Sequence, residues 1–198
     1  HNPDYNGASQ EGIVRTQTTI SNGVRMSTAR CYLKPIEKRK NLRIETGAHT
    51  QRVVIEGSKC TGIEYKNNGK LVRAKASKEV IICTGGVASP QLMELSGIGQ
   101  PDLLKSHGIE VKHELTGVGE HLRDHINAPI KFHMKRGDLS YNKRMQGLGP
   151  AWQVLRYVFQ KRGFMSLPSA PMLAFLRTRD DMETPDVQMH IVPYAVKN

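Results

Sequence analysis

The chain has 198 residues, with 29 Lys and Arg against 18 Asp and Glu, which gives a formal net charge of +11 at pH 7. Apolar residues make up 38% of the sequence, and this proportion excludes a wholly disordered chain. The aliphatic runs are only a few residues long, as at Val80–Ile82, so we expect no transmembrane segment. The positive charge favours polyanions as partners but decides nothing about the fold.

The cysteines and the first residues bear on the cellular compartment. Cys31, Cys60 and Cys83 are far apart and form no CxxC pair. This sparse, odd number predicts reduced thiols rather than a disulfide framework. The chain opens without Met or a basic-then-apolar signal region, and it closes on an apolar stretch. We expect a piece of a longer protein that is cytoplasmic, or held peripherally at the inner membrane.

Short β-prone runs dominate the first half of the chain. Gly12–Ile20 is β-rich, Asn22-Gly23 predicts a tight turn, and a short helix is predicted from Ser27 or Thr28 to Pro35. The basic stretch Lys34–Arg43 is typical of a solvated loop, with a phosphate-binding patch as the alternative. Further strands are predicted at Leu42–Thr46, Gln51–Glu56, Cys60–Lys66, Lys70–Ala76 and Lys78–Thr84. The small polar turns between them indicate an antiparallel meander that leads into a buried strand at Val80–Cys83.

A glycine turn between a strand and a helix is the strongest candidate site on physical grounds alone. Ser89 suits the N-cap of that helix, Pro90 its first turn and Gly97 its left-handed end. The pair Gly85-Gly86 permits a ligand to approach the backbone, and a helix N-terminus offers free N–H groups. The alternative is an ordinary strand-to-helix connection.

The last part of the chain mixes short helices and strands. We predict helices at Pro101–His107 and Ala151–Lys161, the second with Trp152, Leu155, Val158 and Phe159 on one face. Strands are predicted at Ile109–Glu114, Ala128–Met134, Met172–Arg177 and Val187–Val196.

Other motifs in the sequence are weak. Gly117-Val118-Gly119 begins like GxGxxG but lacks the third glycine, and a turn is the simpler interpretation. His121 and His125 have a spacing that suits zinc on a helix, but Pro129 and the preceding glycines favour loop histidines. His190 lies in an alternating, strand-like run, which favours a structural role. Basic residues are scattered and aromatic residues make up 6%, so no nucleic-acid partner is expected.

Residues 85–99 resemble the second signature of the glucose–methanol–choline (GMC) oxidoreductases. That signature is a small-residue pair, two free positions, Ser-Pro, aliphatic residues and Ser-Gly-aliphatic-Gly, and Ser89-Pro90 and Ser96–Gly99 fit it. Gly86 departs from it, because the family usually has Ala, Ser, Thr or Pro there. The segments Asn2–Gly12, Asn22–Leu33, Asn41–Gly47 and Gly117–His125 are also similar to family segments, in the same order.

The resemblance implies an α/β fold, mixed with α+β character. One part would belong to an FAD-binding, Rossmann-like domain with a β-meander, and the other to a substrate domain built on an antiparallel sheet. On this basis residues 30–120 are assigned to the FAD-binding domain and residues 121–198 to the substrate domain. Residues 1–29 are a substrate-domain or connecting segment.

The resemblance also implies which residues meet the cofactor. In relatives, a backbone group of one strand contacts the adenine of FAD, and the corresponding residue here is Thr50. The turn at Thr84-Gly85 would also lie beside FAD. The chain has no counterpart of the family's N-terminal GxGxxG or of its catalytic His, and His121, His125 and His190 do not take that place. We therefore assign no catalytic or metal-binding residue and expect this chain alone to be inactive.

The implied activity is oxidation of a primary alcohol to an aldehyde by hydride transfer to flavin, with an unidentified electron acceptor. Choline-oxidising relatives carry Glu where this chain has Asn127, so a neutral alcohol competes with a choline-like substrate. The alternative function is a non-enzymatic basic module that binds nucleic acid or another polyanion, whose affinity would fall steeply with added salt.

Overall fold

The computed structural model describes residues 1–133, 135–136 and 140–195, which form two compact units. The central unit is Arg43–Asn127, and the discontinuous unit combines His1–Leu42 with Ala128–Asn198. The fold is a mixture of helices and mainly antiparallel sheets, and the predicted mixed fold class is confirmed. The assignment of residues 1–29, 30–120 and 121–198 to functional domains stays a prediction.

A three-stranded meander forms the sheet of the central unit. It consists of β4 (His49–Glu56), β5 (Lys59–Asn67) and β6 (Lys70–Lys75), all antiparallel in that order. Asn68 and Gly69 make the β5–β6 turn with φ of 49° and 77°, the left-handed pair that a two-residue hairpin requires. The predicted meander is confirmed.

Two helices and a short parallel pair of strands complete the central unit. Gly97, at φ 87°, ends the first helix as predicted, and its carbonyl accepts hydrogen bonds from the N–H groups of Lys112 and His113. Leu92, Leu104 and Val118 are buried. These elements are α1 (Gly85–Leu95), β7 (Ile98–Gly99), α2 (Pro101–Ser106) and β8 (His113–Glu114), with β7 parallel to β8.

The predicted buried strand at Lys78–Thr84 is wrong. The segment is not a strand, Ile81 is 74% exposed and Cys83 is exposed. A strand needs a neighbour to accept and donate its ladder hydrogen bonds. Within the described ranges no strand lies alongside this segment, so its apolar run has no sheet to join.

The predicted cap of α1 is also wrong. The helix begins at Gly85 rather than after Ser89, so Ser89 and Pro90 lie inside it. The first turn, from Gly85 to Ala88, is already helical where the prediction placed a loop. Pro90 cannot donate the usual i+4 hydrogen bond to the carbonyl of Gly86, because proline has no N–H.

An antiparallel sheet of three strands forms the core of the discontinuous unit. Val14, Leu173 and Phe175 are its buried cluster, and Tyr5 stacks on Phe175 with 5.2 Å between ring centroids. In sheet order, the strands are β1 (Gly12–Arg15), β9 (Met172–Leu176) and β10 (Val187–Ile191).

Smaller elements surround this sheet. The predicted turn at Asn22-Gly23 is confirmed, with φ of 49° and 69°. A π-helical turn and a 3-10 turn follow it, and a further 3-10 turn occurs near β9. These elements are β2 (Ile20–Ser21), β3 (Val24–Arg25), the π-helix Ala29–Leu33, and the 3-10 turns Lys34–Ile36 and Phe164–Ser166.

Two further helices belong to this unit, α3 (Tyr141–Arg144) and α4 (Gly149–Gln160). The second confirms the predicted helix, but its apolar face is exposed, with Trp152 63% and Phe159 79% accessible. The helix attaches through its polar side, because Gln153 is buried and the Tyr157 hydroxyl donates to the Gly23 carbonyl at 3.0 Å.

Two other predicted strands are not formed. Leu42–Thr46 is irregular, and so are residues 128–133 of the predicted strand Ala128–Met134. Met134 lies outside the described residues. Ile130 and Phe132 are 72% and 86% exposed, so their alternating pattern has no surface to pack against.

Among the described residues, no helix combines the length and the apolar character needed to cross a membrane. Cys31, Cys60 and Cys83 are free thiols.

Substitution of Ser96 tests what joins α1 to the sheet. The buried Ser96 hydroxyl accepts from the Val53 N–H at 2.8 Å and donates to the Leu92 carbonyl. Ser96→Ala leaves a buried N–H without an acceptor, so we expect a loss of about 1–3 kcal/mol in the free energy of unfolding. The matched control is Ser106→Ala, because the exposed Ser106 hydroxyl donates only to the Leu103 carbonyl. Urea denaturation compares the variants, and equal losses would contradict the bridging role.

Candidate functional site

The candidate cofactor region is Thr50 together with the turn Thr84-Gly85, and both parts lie in the central unit. Thr50 is half-buried on β4, opposite Tyr65 of β5. The pairing shifts between Thr50 and Arg52, which makes Gln51 the extra residue of a β-bulge. A bulge interrupts the ladder and redirects the strand, and bulges are common beside binding sites.

The turn at Thr84-Gly85 has a backbone open to solvent. Gly85 is the first residue of α1, its φ is 89°, and a Cβ built there meets no atom within 4 Å. Thr84, the N-cap, makes no capping hydrogen bond, and its hydroxyl lies 3.0 Å from that of Ser89 instead. The first N–H groups of α1 are therefore not capped by the Thr84 side chain. No acidic residue lies in the first turn, so a negatively charged group meets no like charge there.

The structure brings the elements that carry these residues into contact, but not the residues themselves. The Val53–Ser96 hydrogen bond ties β4 to the C-terminal end of α1. Gly85 stands at the opposite end of this helix, roughly 16 Å away at 1.5 Å per residue. Among the described residues no hydrogen bond joins Thr50 to Thr84 or Gly85. The assignment of these residues to the cofactor stays a prediction.

Sequence reasoning missed how the signature segment is held. A Cβ on Gly119, whose φ is 79°, would lie 2.6 Å from the Glu94 carboxylate, so the loop after β8 packs directly on α1. The Gln100 side chain donates to Glu120 at 3.1 Å and to the Thr116 carbonyl at 3.5 Å. Gly119 is thus needed because a side chain at this position would collide with Glu94. The Gly-x-Gly pattern at residues 117–119 is the feature of the sequence that could have indicated this close contact.

The histidines do not assemble into a metal site. His121 adopts a left-handed conformation at φ 59°, and both His121 and His125 are exposed in a loop rather than on a helix. His190 is exposed on β10, opposite Leu173. Across the part of the chain that is described, no group of three or more His, Cys, Asp or Glu side chains is arranged to hold a metal ion.

One ion pair spans the sheet beside Thr50. The Arg52 guanidinium donates to the Glu64 carboxylate at 2.8 Å, and this hydrogen bond lowers the pKa of Glu64 below its usual value. Arg73 adds a smaller effect of the same sign. The pair connects β4 to β5 immediately after the bulge.

The comparisons with known proteins identify the family. Residues 1–127 match the sequence pattern of the GMC oxidoreductases. The chain belongs to the GMC oxidoreductase family. The resemblance noted in the signature segment is therefore confirmed.

Curated relatives in this family include choline dehydrogenases. The chain is 35% identical over 194 residues to the oxygen-dependent choline dehydrogenase of Photobacterium profundum, a match that covers 98% of this chain and 34% of the relative. It is 38% identical over 200 residues to the enzyme of that name from Staphylococcus aureus, with 98% and 34% covered. The chain thus spans about a third of the length of these relatives.

Solved GMC structures share the fold. A formate oxidase of Aspergillus oryzae, studied for the modification of its FAD, superposes with a TM-score of 0.76 at 25% identity, over 84% of this chain and 29% of that one. A fungal aryl-alcohol oxidase superposes with a TM-score of 0.71 over 88% of this chain and 31% of the oxidase, at 21% identity.

The Arg52–Glu64 pair makes a pH-dependent contribution to stability. Because the folded state lowers the pKa of Glu64, the stabilisation is present above the unfolded value of 4.5 and is lost as the pH falls through the folded value. Glu64→Gln is expected to be less stable than the parent at neutral pH, with the difference shrinking in acid. Urea denaturation across this pH range measures it. Glu110→Gln is the control, because its pair with Lys112 is local and exposed. A difference that persists unchanged in acid contradicts the ionic explanation.

Proposed function

We propose that the protein is an FAD-dependent oxidoreductase that acts on CH–OH donors and oxidises a primary alcohol to an aldehyde. The observation that carries the proposal is the family match over residues 1–127, which include the candidate cofactor region. When bound, FAD would supply a ring that accepts a hydride from the alcohol carbon. The role of this chain is to hold part of the cofactor and to form part of the substrate wall.

The backbone of the candidate cofactor region fits a phosphate-containing nucleotide. Gly85 leaves open space above its Cα, and the uncapped start of α1 favours a negatively charged group. At Thr50 the proposed contact with the adenine is made by the backbone, so it does not depend on the threonine hydroxyl. Thr50, Thr84 and Gly85 are the residues that would hold FAD.

The proton of the alcohol must go to a base, and we propose that this chain does not supply it. His121, His125 and His190 are exposed. By the family resemblance, none of them takes the place of the catalytic His. Hydride transfer without a proton acceptor is slow, because the alcohol must lose both the hydride and the proton. The 198-residue chain alone is therefore expected to be inactive.

The substrate is a choline-like or neutral primary alcohol. The relatives named choline dehydrogenases support the first possibility. Asn127 supports the second, because it is exposed and carries no negative charge to attract an ammonium group. The words "oxygen-dependent" in the relatives' names support dioxygen as the electron acceptor.

Absorbance spectroscopy of the full polypeptide that contains this chain tests the proposal. We expect a flavin spectrum that bleaches when a primary alcohol is added without air and returns when air is admitted. The 198-residue chain, purified in parallel, is expected to turn over no alcohol. A full polypeptide that takes up no flavin, even after FAD is supplied, would refute the cofactor assignment. Salt-sensitive binding to nucleic acid would then support the basic module.

Two neighbouring glycines provide a matched test of the cofactor region. Gly85→Ala places a side chain at φ 89°, at a cost of about 1–2 kcal/mol, and adds a methyl group where the ligand approaches. Gly86→Ala, which lies within the helix without a positive φ, adds helix propensity of up to about 1 kcal/mol and blocks nothing. In the full polypeptide we expect FAD affinity to fall about tenfold in Gly85→Ala and to stay unchanged in Gly86→Ala. Thermal denaturation separates lost affinity from lost folding, and equal FAD affinities would place the cofactor elsewhere.

A further inference from the structure

Three asparagines of the chain are followed directly by glycine, at Asn6-Gly7, Asn22-Gly23 and Asn68-Gly69. The side-chain amide of an asparagine can be attacked by the backbone nitrogen of the next residue, and the amide is then lost as ammonia. A glycine in the next position favours this attack, because no Cβ shields its nitrogen and its backbone rotates freely. Since the three pairs share this local chemistry, differences between their rates of deamidation come from the fold.

Deamidation at Asn68 exchanges ammonia for water. The Gly69 nitrogen gives up its proton and bonds to Cγ of Asn68, the Cγ–Nδ2 bond breaks, and the amide leaves as ammonia with that proton. Water then opens the cyclic imide at one of its carbonyls. Opening at Cγ gives aspartate. Opening at the main-chain carbonyl gives isoaspartate, in which the backbone runs through Cβ and Cγ and is longer by one atom.

The Asn68-Gly69 turn is free to adopt the conformation that this attack requires. Both residues are exposed, and a Cβ built on Gly69 meets no atom within 4 Å. The strand pairing that closes the turn is made by Asn67 and Lys70. Within the described residues, the Gly69 N–H donates to no backbone carbonyl. Residues 68 and 69 can therefore leave their left-handed conformation without breaking a packing contact or the strand pairing.

The Asn22-Gly23 turn also has a left-handed backbone, but it is packed against α4. The Tyr157 hydroxyl donates to the Gly23 carbonyl at 3.0 Å. A Cβ built on Gly23 would lie 2.7 Å from the carbonyl oxygen of Lys161, so the backbone of the turn closely approaches the end of the helix. Rotation toward the reactive conformation breaks the hydrogen bond and disturbs this contact, which slows deamidation of Asn22.

At Asn6-Gly7, both reacting groups are already occupied. The Asn6 side chain donates through Nδ2 to the Gln17 side chain at 2.5 Å. The Gly7 N–H donates to the Asp4 carbonyl at 3.2 Å. Attack by the Gly7 nitrogen on this amide requires both hydrogen bonds to open, so the fold slows deamidation of Asn6 as well.

The geometry points to Asn68 as the preferred site of deamidation in this protein, with an isoaspartate product that disrupts the β5–β6 turn. A two-residue hairpin turn favours Asp-Gly as it does Asn-Gly, so the aspartate product keeps the turn. The isoaspartate product has an additional backbone atom and no longer matches the connection between Asn67 and Lys70. Either product adds a carboxylate beside Lys70, so the positive charge at the tip of the hairpin falls. The inference concerns this turn alone and does not depend on FAD.

Mass spectrometry of the full polypeptide that contains this chain measures the three rates side by side. The protein is incubated at mildly alkaline pH, because the attacking nitrogen must lose its proton. Cleavage after glutamate in acid then places the three asparagines on separate peptides, with Asn68 on residues 65–79. We expect Asn68 to lose its amide about tenfold faster than Asn22 or Asn6, since each of these must first open a hydrogen bond. In urea the three rates are expected to converge, because the fold no longer separates them.

A matched pair of tyrosine variants tests the role of packing. Tyr157→Phe removes the hydroxyl that holds the Gly23 carbonyl and is expected to raise the rate at Asn22 about fivefold. Tyr32→Phe removes the hydroxyl of a ring that is 71% exposed and is expected to change no rate. The rate at Asn68 is expected to be the same in both variants, and circular dichroism verifies that both are folded. An unchanged rate at Asn22 in Tyr157→Phe would contradict the packing explanation.

Hydrogen exchange distinguishes the two products at the hairpin. The backbone amides of β5 and β6 are expected to exchange faster in the deamidated fraction, isolated by ion exchange after incubation, than in the parent. Freshly purified Asn68→Asp, which has the same charge but a normal backbone, is expected to match the parent. Three results would overturn the inference: deamidation at Asn22 or Asn6 as fast as at Asn68, a difference in rate that persists in urea, or equal exchange in the deamidated fraction and in Asn68→Asp.

Discussion

The central unit depends on one buried hydroxyl group. Ser96 stands just past the end of α1, where its Oγ accepts from the Val53 N–H of β4 and donates to the Leu92 carbonyl of its own helix. Because β4 is an edge strand of the meander, a backbone donor there would otherwise be buried without an acceptor. The bond fixes the end of α1 against the sheet. The direction of the helix then determines where its first residues, Thr84 and Gly85, are displayed.

Two glycines with left-handed backbone conformations, Gly97 and Gly119, support the packing around the Val53–Ser96 hydrogen bond. Gly97 turns the chain directly after Ser96, and its carbonyl collects the N–H groups of Lys112 and His113. Gly119 lets the following loop approach the Glu94 carboxylate. In the signature segment of the GMC oxidoreductases, the second half thus packs against the rest of the unit. The first half leaves its backbone exposed. An open backbone is the part suited to a cofactor, since nothing in the protein already occupies it.

The two units of the chain offer different chemistry to ligands. The central unit presents backbone N–H groups at the start of α1, which suit a negatively charged nucleotide. The discontinuous unit presents the stacked rings of Tyr141, Phe164 and Tyr194, which are apolar.

The sequence by itself determined the local features of this protein. The Asn68-Gly69 turn, the meander, the end of α1 at Gly97 and the signature of the family are all set by neighbouring residues, through turn chemistry and spacing. The tertiary structure alone decided features that need a distant partner. Val80–Cys83 has strand composition but no neighbouring strand, the apolar face of α4 points outward because Gln153 and Tyr157 make its contacts, and α1 starts before Ser89. The ring stack of Tyr141, Phe164 and Tyr194 belongs to the same class, since these residues are far apart in the sequence. Hydrogen bonds from residues 141 and 142 to residues 193 and 195 hold two of the three rings, Tyr141 and Tyr194, near each other.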